Sequence, residues 1–98
     1  MMTINKISDE KNLTISLSGR LDTVSAPELE AEVAQIEADA SVILDLKDLE
    51  YISYAGLRVL LVIQKKMNQK GSFVIRNVND TVREVLDITG FSDILTIE

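Results

Sequence analysis

The period of apolar positions changes along this chain, and each change marks an element. Met2, Ile4 and Lys6 alternate in facing with Thr3, Asn5 and Ile7, a weak strand signal; Leu13, Ile15 and Leu17 against Thr14, Ser16 and Ser18 is a stronger one. Ser8-Asp9-Glu10-Lys11-Asn12 between them is turn chemistry, so the two runs predict a hairpin with one wet face. Gly19-Arg20-Leu21-Asp22 is expected to carry the chain off the sheet. The period then lengthens. Leu29, Val33 and Ile36 fall at i, i+4 and i+7, a helical stripe that leaves Glu28, Glu30, Glu32 and Glu37 elsewhere. Ser25-Ala26-Pro27-Glu28 has the spacing of a capping box, with a proline where a missing N–H costs nothing. This helix is expected to end near Asp39 or Ala40.

Ser41-Val42-Ile43-Leu44-Asp45-Leu46 shows no alternation, as a central strand covered on one or both faces does. It reads as running out into a polar turn, touching down at Tyr51 and Ile52, and entering a helix through the small-residue step from Ser53 to Gly56. In that helix Leu57, Leu60, Leu61, Ile63 and Met67 form an apolar arc with Gln64 inside it, expected to be partly buried and hydrogen-bonded. Arg58, Val62 and Lys66 form a stripe beside Lys65 on the other side. Gly71 is expected to end the helix in a left-handed conformation. Ser72–Arg76 follows as a strand, Asn79, Asp80 or Thr81 caps a third helix that buries Val82, Val85 and Leu86, and Gly90 closes it. Ile94–Ile97 reads as a short strand or docked tail. The order predicts an α/β fold with a mixed sheet of four to five strands, an N-terminal hairpin followed by parallel strands, and helices packed against it. Sites in such sheets lie beyond the carboxyl ends of the strands, here the segment from Asp45 to Gly56.

Composition narrows the chemistry. The chain of 98 residues, 46% hydrophobic with one proline, is expected to form one globular domain that buries roughly two-thirds of its unfolded surface. With two tyrosines, two phenylalanines and no tryptophan, the core must be aliphatic. Ten basic against sixteen acidic residues give a net charge of −6, which argues against nucleic acid as a partner. No cysteine and no histidine are present, which removes the thiol nucleophile, the histidine-based triads and the commonest metal ligand. The chain is therefore expected to be no enzyme. The first residues lack the apolar core of a signal peptide, and Val59 to Ile63 is far short of the roughly 18 residues a membrane span needs. A soluble, cytoplasmic protein without membrane attachment is expected.

At the Ser53 step the first N–H groups of a helix carry partial positive charge. Ser53 can cap that helix, contributing about 1 kcal/mol, or accept a phosphoryl group there. Gly56 in a first turn costs roughly 0.5–1 kcal/mol relative to alanine, so a close approach by a partner or a loop, or a tight helix entry, should offset it. Asp22, Asp45, Asp48 and Glu50 are explained by turn and strand-end chemistry, and neither a metal nor a cofactor is expected. A different reading makes the helix N-terminus after Ser53 a ligand- or nucleotide-sensing site, although the glycine-rich cradle and lysine that accompany that use are missing.

Asp45-Leu46-Lys47-Asp48-Leu49-Glu50-Tyr51-Ile52-Ser53-Tyr54-Ala55-Gly56-Leu57-Arg58-Val59-Leu60-Leu61 resembles the signature of STAS domains. Gly19-Arg20-Leu21-Asp22-Thr23, Gly71 and the ending Thr89-Gly90-Phe91-Ser92-Asp93-Ile94-Leu95 also look like the pattern of the stand-alone anti-sigma factor antagonists. The resemblance implies one STAS domain over residues 1–98. It implies a bacterial partner-switching protein that binds an anti-sigma factor doubling as a Ser/Thr protein kinase and so frees a sigma factor. In proteins of this pattern, the resemblance implies, phosphorylation ends the capture and a metal-dependent Ser/Thr phosphatase resets it. The family's acceptor is the serine directly before the Gly-Leu of the signature, often preceded by an aspartate and another serine. Here that position is Ala55, Tyr54 precedes it, and Ser53 stands where the aspartate is usual. Either Ser53 is the phosphoacceptor, or the switch is gone and the domain binds constitutively or answers to another input; Asp22, Thr23, Ser53, Tyr54, Ala55, Gly56, Arg58, Val62 and Lys65 are the candidate partner-binding residues of an expected monomer.

Overall fold

The computed structural model describes residues 2–37, 39–68 and 70–98. Strands β1 (Met2–Asp9) and β2 (Asn12–Leu21) pair antiparallel around Glu10 and Lys11, with Glu10 at a positive φ of 57°. Helix α1 (Ala26–Val33) crosses over to strand β3 (Ser41–Ile52), which pairs parallel with β2. Helix α2 (Tyr54–Met67) leads to β4 (Ser72–Arg76), parallel to β3, and α3 (Asp80–Thr89) leads through a 3-10 turn over Phe91–Asp93 to the tail. The sheet has four strands in the order β1-β2-β3-β4, so spatial order follows chain order. Ile94–Ile97 adds one parallel bridge, Ile97 to Ile75, rather than a fifth strand.

Three strands are longer than their patterns suggest. β1 runs on through Ser8 and Asp9 and β2 begins at Asn12, so the expected five-residue turn shrinks to Glu10 and Lys11. β2 does not leave the sheet at Gly19 but continues to Leu21, and β3 does not give way to a polar turn at Asp45 but continues to Ile52, because Leu21 and Ile52 pair with each other. Between Asp45 and Asp48, and again between Leu49 and Tyr51, β3 uses one residue more than the facing stretch of β2. These bulges put the buried Leu46, Leu49 and Ile52 three apart, which breaks the period of two. Gly19, at φ 92°, supplies the left-handed residue beside the second bulge.

All three helices contribute to one aliphatic core against one side of the sheet, where Ile15, Leu17, Val42, Leu44, Phe73 and Ile75 are buried with Leu29, Leu60, Ile63, Val82 and Leu86. Residues of the other parity, among them Thr3, Asn5 and Ile7 on β1 and Thr14 and Ile43 inside the sheet, stay exposed or half-buried. In α2, Val59 is buried and Leu61 only half-buried, because the helix turns its 56-60-63-67 row to the sheet. Gln64 is buried, its Nε2 donating to Asn68 Oδ1 at 2.6 Å while its Oε1 finds no partner. α3 buries Val82 and Leu86, leaves Val85 half-buried, is capped by Asn79 accepting from Val82 N–H at 3.0 Å, and ends at Gly90 with φ 82°.

Three expected helix ends differ. α1 stops at Val33 and continues only as tight turns, Gln35 N–H to Glu32 O and Ile36 N–H to Val33 O, since Glu37 and Asp39 would oppose the helix dipole further on. Lys66 Nζ bonds the Val33 carbonyl at 2.9 Å, so this lysine caps α1 instead of joining the exposed stripe of Arg58 and Val62. Ser25 does not form the capping box: its hydroxyl turns back toward Arg20 and Asp22. Gly71 does not end α2 in a left-handed conformation: the positive-φ glycines among the described residues are Gly19 and Gly90, and the Gly71 N–H reaches Met67 O at 3.0 Å.

Candidate functional site

The paired ends of β2 and β3 build a rim. Ser53 N–H donates to Leu21 O at 2.8 Å, extending the parallel ladder by one bond before α2 begins. Ser53 is extended, at φ −96° and ψ 174°, and its hydroxyl accepts from Gly56 N–H over a long 3.4 Å. It is therefore a weak N-cap. Gly56 is buried directly behind it. A Cβ there would lie 2.7 Å from Leu21 Cγ and 3.0 Å from Ile52 Cγ1, so the small-residue step answers a close approach of the chain's own β2 end to α2.

On the other side of the rim, Asp22 organises a tight turn. Its Oδ1 accepts from Val24 N–H at 3.0 Å and Ser25 N–H at 3.1 Å, while Asp22 N–H donates to Ser25 Oγ at 2.9 Å. The one proton of the Ser25 hydroxyl lies between Arg20 O at 2.7 Å and Asp22 Oδ1 at 3.2 Å. The Ser25 backbone N–H is the largest of several contacts that hold the Asp22 carboxyl below its ordinary range, helped by the Ser25 hydroxyl, the Val24 N–H and the Arg20 charge against the opposing effect of burial. Because the folded value is the lower one, the turn's contribution to stability is complete above the unfolded value of about 3.9 and is lost as pH falls through the folded value. A carboxylate NMR titration should give a midpoint for Asp22 below that of an unfolded peptide, and Asp22→Asn should remove this part of the acid transition; a midpoint at the peptide value would contradict the geometry.

Arg20 lies over the Tyr51 ring at 4.2 Å from its centroid, with Nε 3.8 Å from Asp22 Oδ2. This exposed cation–π pair is not local in sequence and follows from the β2–β3 register, in which Arg20 and Tyr51 are partners. Neither residue is singled out by the sequence pattern. Nor is the exposed Val24.

Between the start of α1 and the outer face of α2 runs an open groove of about 270 Å³. Thr23, Ala26 and Pro27 form one wall, Ala55, Val59 and Val62 the other, with Glu30 and Arg58 on opposite sides. Of the nine residues proposed from the sequence, Thr23, Ala55, Arg58 and Val62 line this groove, and Asp22, Ser53 and the exposed Tyr54 lie within two residues of Thr23 or Ala55 along the chain. Gly56 is buried against Leu21 and Ile52, and Lys65 is exposed on α2 outside the groove. Asp45 is not at the rim: its Oδ1 accepts from Lys47 N–H and Asn77 Nδ2 on the sheet. The groove sets the small apolar Ala26, Pro27, Ala55, Val59 and Val62 beside the polar Thr23, Glu30 and Arg58, a mixed lining of the kind that packs against another protein.

A hairpin followed by two parallel strands, with a helix entrance set against the β2 end, is the architecture of a STAS domain. The STAS domain family matches residues 3–98, and the chain belongs to it. It is 39% identical, over 98% of its own length and 84% of the relative's, to BtrV of Bordetella bronchiseptica, named as an anti-sigma factor antagonist. The anti-sigma-B factor antagonist of Bacillus subtilis is 31% identical over 91% of this chain and 84% of the relative. Among solved structures, the anti-sigma factor antagonist from Mycobacterium paratuberculosis matches with a TM-score of 0.88 at 22% identity, covering 99% of this chain and 85% of that one, which extends the likeness of fold. Among the described residues no helix is long and apolar enough to cross a membrane.

Proposed function

We propose that this chain is an anti-sigma factor antagonist, a regulatory binding protein rather than an enzyme, that captures an anti-sigma factor on the rim and groove between α1 and α2. The observation that carries this reading is Ala55, which stands where the resemblance puts the family's acceptor and, half-buried against the core, still forms part of the groove wall. The anti-sigma factor is a Ser/Thr kinase, and its docking surface covers Asp22, Thr23, Tyr54, Ala55, Arg58 and Val62. Tyr54, 69% exposed at the first position of α2, suits an anchor in a partner's pocket.

Alanine carries no hydroxyl, so phosphoryl transfer at position 55 cannot end the capture. Ser53 is the hydroxyl left at the rim, and a phosphoryl group there would bring roughly −1.5 to −2 charge to the helix entrance beside Asp22. The test mixes the purified chain with a Ser/Thr kinase from its genomic neighbourhood, without and with ATP, then measures complex formation and intact mass. Capture without ATP that is lost with ATP, together with a phosphoryl group mapped to Ser53, supports a displaced switch. Capture of an unmodified chain supports binding without one. An absence of any complex both without and with ATP overturns the proposal.

A further inference from the structure

One edge of the sheet is closed by the chain itself and the other is open. Beside β4, Ile75 N–H donates to Thr96 O at 2.9 Å, Glu98 N–H donates to Ile75 O at 2.9 Å, and Arg76 Nε reaches Glu98 Oε1 at 2.6 Å. Every pairing of β1 runs to β2, and among the described residues no strand lies on its outer side. β1 has none of the usual devices that blunt an edge: it contains no proline, and its register with β2 runs unbroken from Met2–Gly19 to Asp9–Asn12. Its lysine does not guard the edge either, because Lys6 Nζ is drawn to Glu32 at 2.5 Å. Ile7, 71% exposed, stands on the open face of the sheet.

The hairpin determines which backbone groups point outward. Its two-residue loop is closed by the Asp9–Asn12 pair. Counting back from that hydrogen-bonded pair, Ile7, Asn5 and Thr3 bond to β2, whereas Ser8, Lys6, Ile4 and Met2 direct their N–H and C=O groups away from it. These free groups repeat along a strand without a bulge, and such a row is complementary to itself when reversed.

We propose that a second copy of this chain covers the edge, β1 pairing antiparallel with β1 of its twin about a two-fold axis perpendicular to the sheet. Such an axis keeps each face of the sheet on its own side, so residues of like parity meet. Centring the axis on Lys6 would set two ammonium groups opposite each other, a repulsive arrangement. Centring it on Asn5 avoids this, uses the outward groups from Met2 to Ser8, and sets Ile7 across from Thr3 and Ile4 across from Lys6 of the other copy. The interface is confined to one strand per copy, small against the roughly 800 Å² per partner of a standard interface. Each copy also carries a net charge of −6. The dimer is therefore weak, concentration-dependent and favoured by added salt. It departs from the monomer expected from the sequence, and it leaves both α1–α2 grooves open, giving one particle two docking rims.

The chain has no cysteine, so one substitution supplies a unique thiol. At the axis, a non-hydrogen-bonded pair holds its Cα atoms about 4.5 Å apart, within reach of a disulfide. Under mild oxidation Asn5→Cys should form a disulfide-linked dimer at least about tenfold faster than Lys47→Cys, an exposed position on β3. Adding Lys6→Pro, which deletes an outward N–H on an edge strand that tolerates proline, should abolish that advantage without unfolding the chain. Equal cross-linking rates for Asn5→Cys and Lys47→Cys, with sedimentation of the unsubstituted chain independent of concentration, would overturn the proposal.

Discussion

Gly56→Ala should destabilise the fold by about 1–3 kcal/mol, although alanine is the better helix former. The added methyl would sit 2.7 Å from Leu21 Cγ and 3.0 Å from both Leu21 Cδ2 and Ile52 Cγ1. Leu21 is fully buried, and its branch carbon is not the free tip of a flexible chain, so it cannot swing aside. Helix propensity returns at most about 1 kcal/mol, less than overpacking takes away. Urea denaturation checks the sign, and a chain of this size should melt roughly 4–8 °C lower for each kcal/mol lost. Because Leu21 O also accepts from Ser53 N–H, relaxing the clash moves the rim, and capture of the partner should weaken along with stability. A neutral or stabilising Gly56→Ala would mean that β2 and α2 do not meet as described.

The second large effect separates binding from folding. Ala55→Asp puts a carboxylate into the first turn of α2, where the helix dipole favours it by about 0.3–1 kcal/mol, so the fold should hold or strengthen. The same carboxylate enters an apolar wall of the groove and must be desolvated when a partner docks. Affinity for the anti-sigma factor should fall about 10- to 100-fold, equivalent to about 1.4–2.7 kcal/mol. Calorimetry on the pair, beside melting curves of the free chain, checks both halves. Ala55→Ser should in turn restore phosphoryl transfer at position 55, with capture becoming sensitive to ATP. If Ala55→Asp binds as tightly as the unsubstituted chain, the groove is not the docking surface.

The comparison of sequence with structure divides along physical lines. β4 and the start of α2 are legible from local signals: a short β-branched and aromatic run after a glycine, and a serine before an apolar helix. The second half of β3 is not, because its bulges space Leu46, Leu49 and Ile52 by three, a pattern that imitates neither a strand nor a full helix. Ser25 and Glu28 satisfy the capping-box spacing, but the Asp22 turn offers the Ser25 hydroxyl a nearer acceptor, and local chemistry won over the template. The Ser53–Gly56 step was legible as a special place, while its cause, the Leu21 side chain, is remote in sequence. Arg20 and Tyr51 come together only through strand register, and Lys66 leaves its helical stripe only because α1 ends within its reach. Period and propensity carry no information about such contacts.

The coincidence of spatial and chain order in the sheet bears on how the molecule is made. A ribosome releases the hairpin first, and each following helix-and-strand unit then finds its neighbour already waiting as the outermost strand. Nothing needs to be threaded between strands that have already joined. Growth is one-directional, and it stops when Ile97 reaches Ile75 and occupies the last growing side.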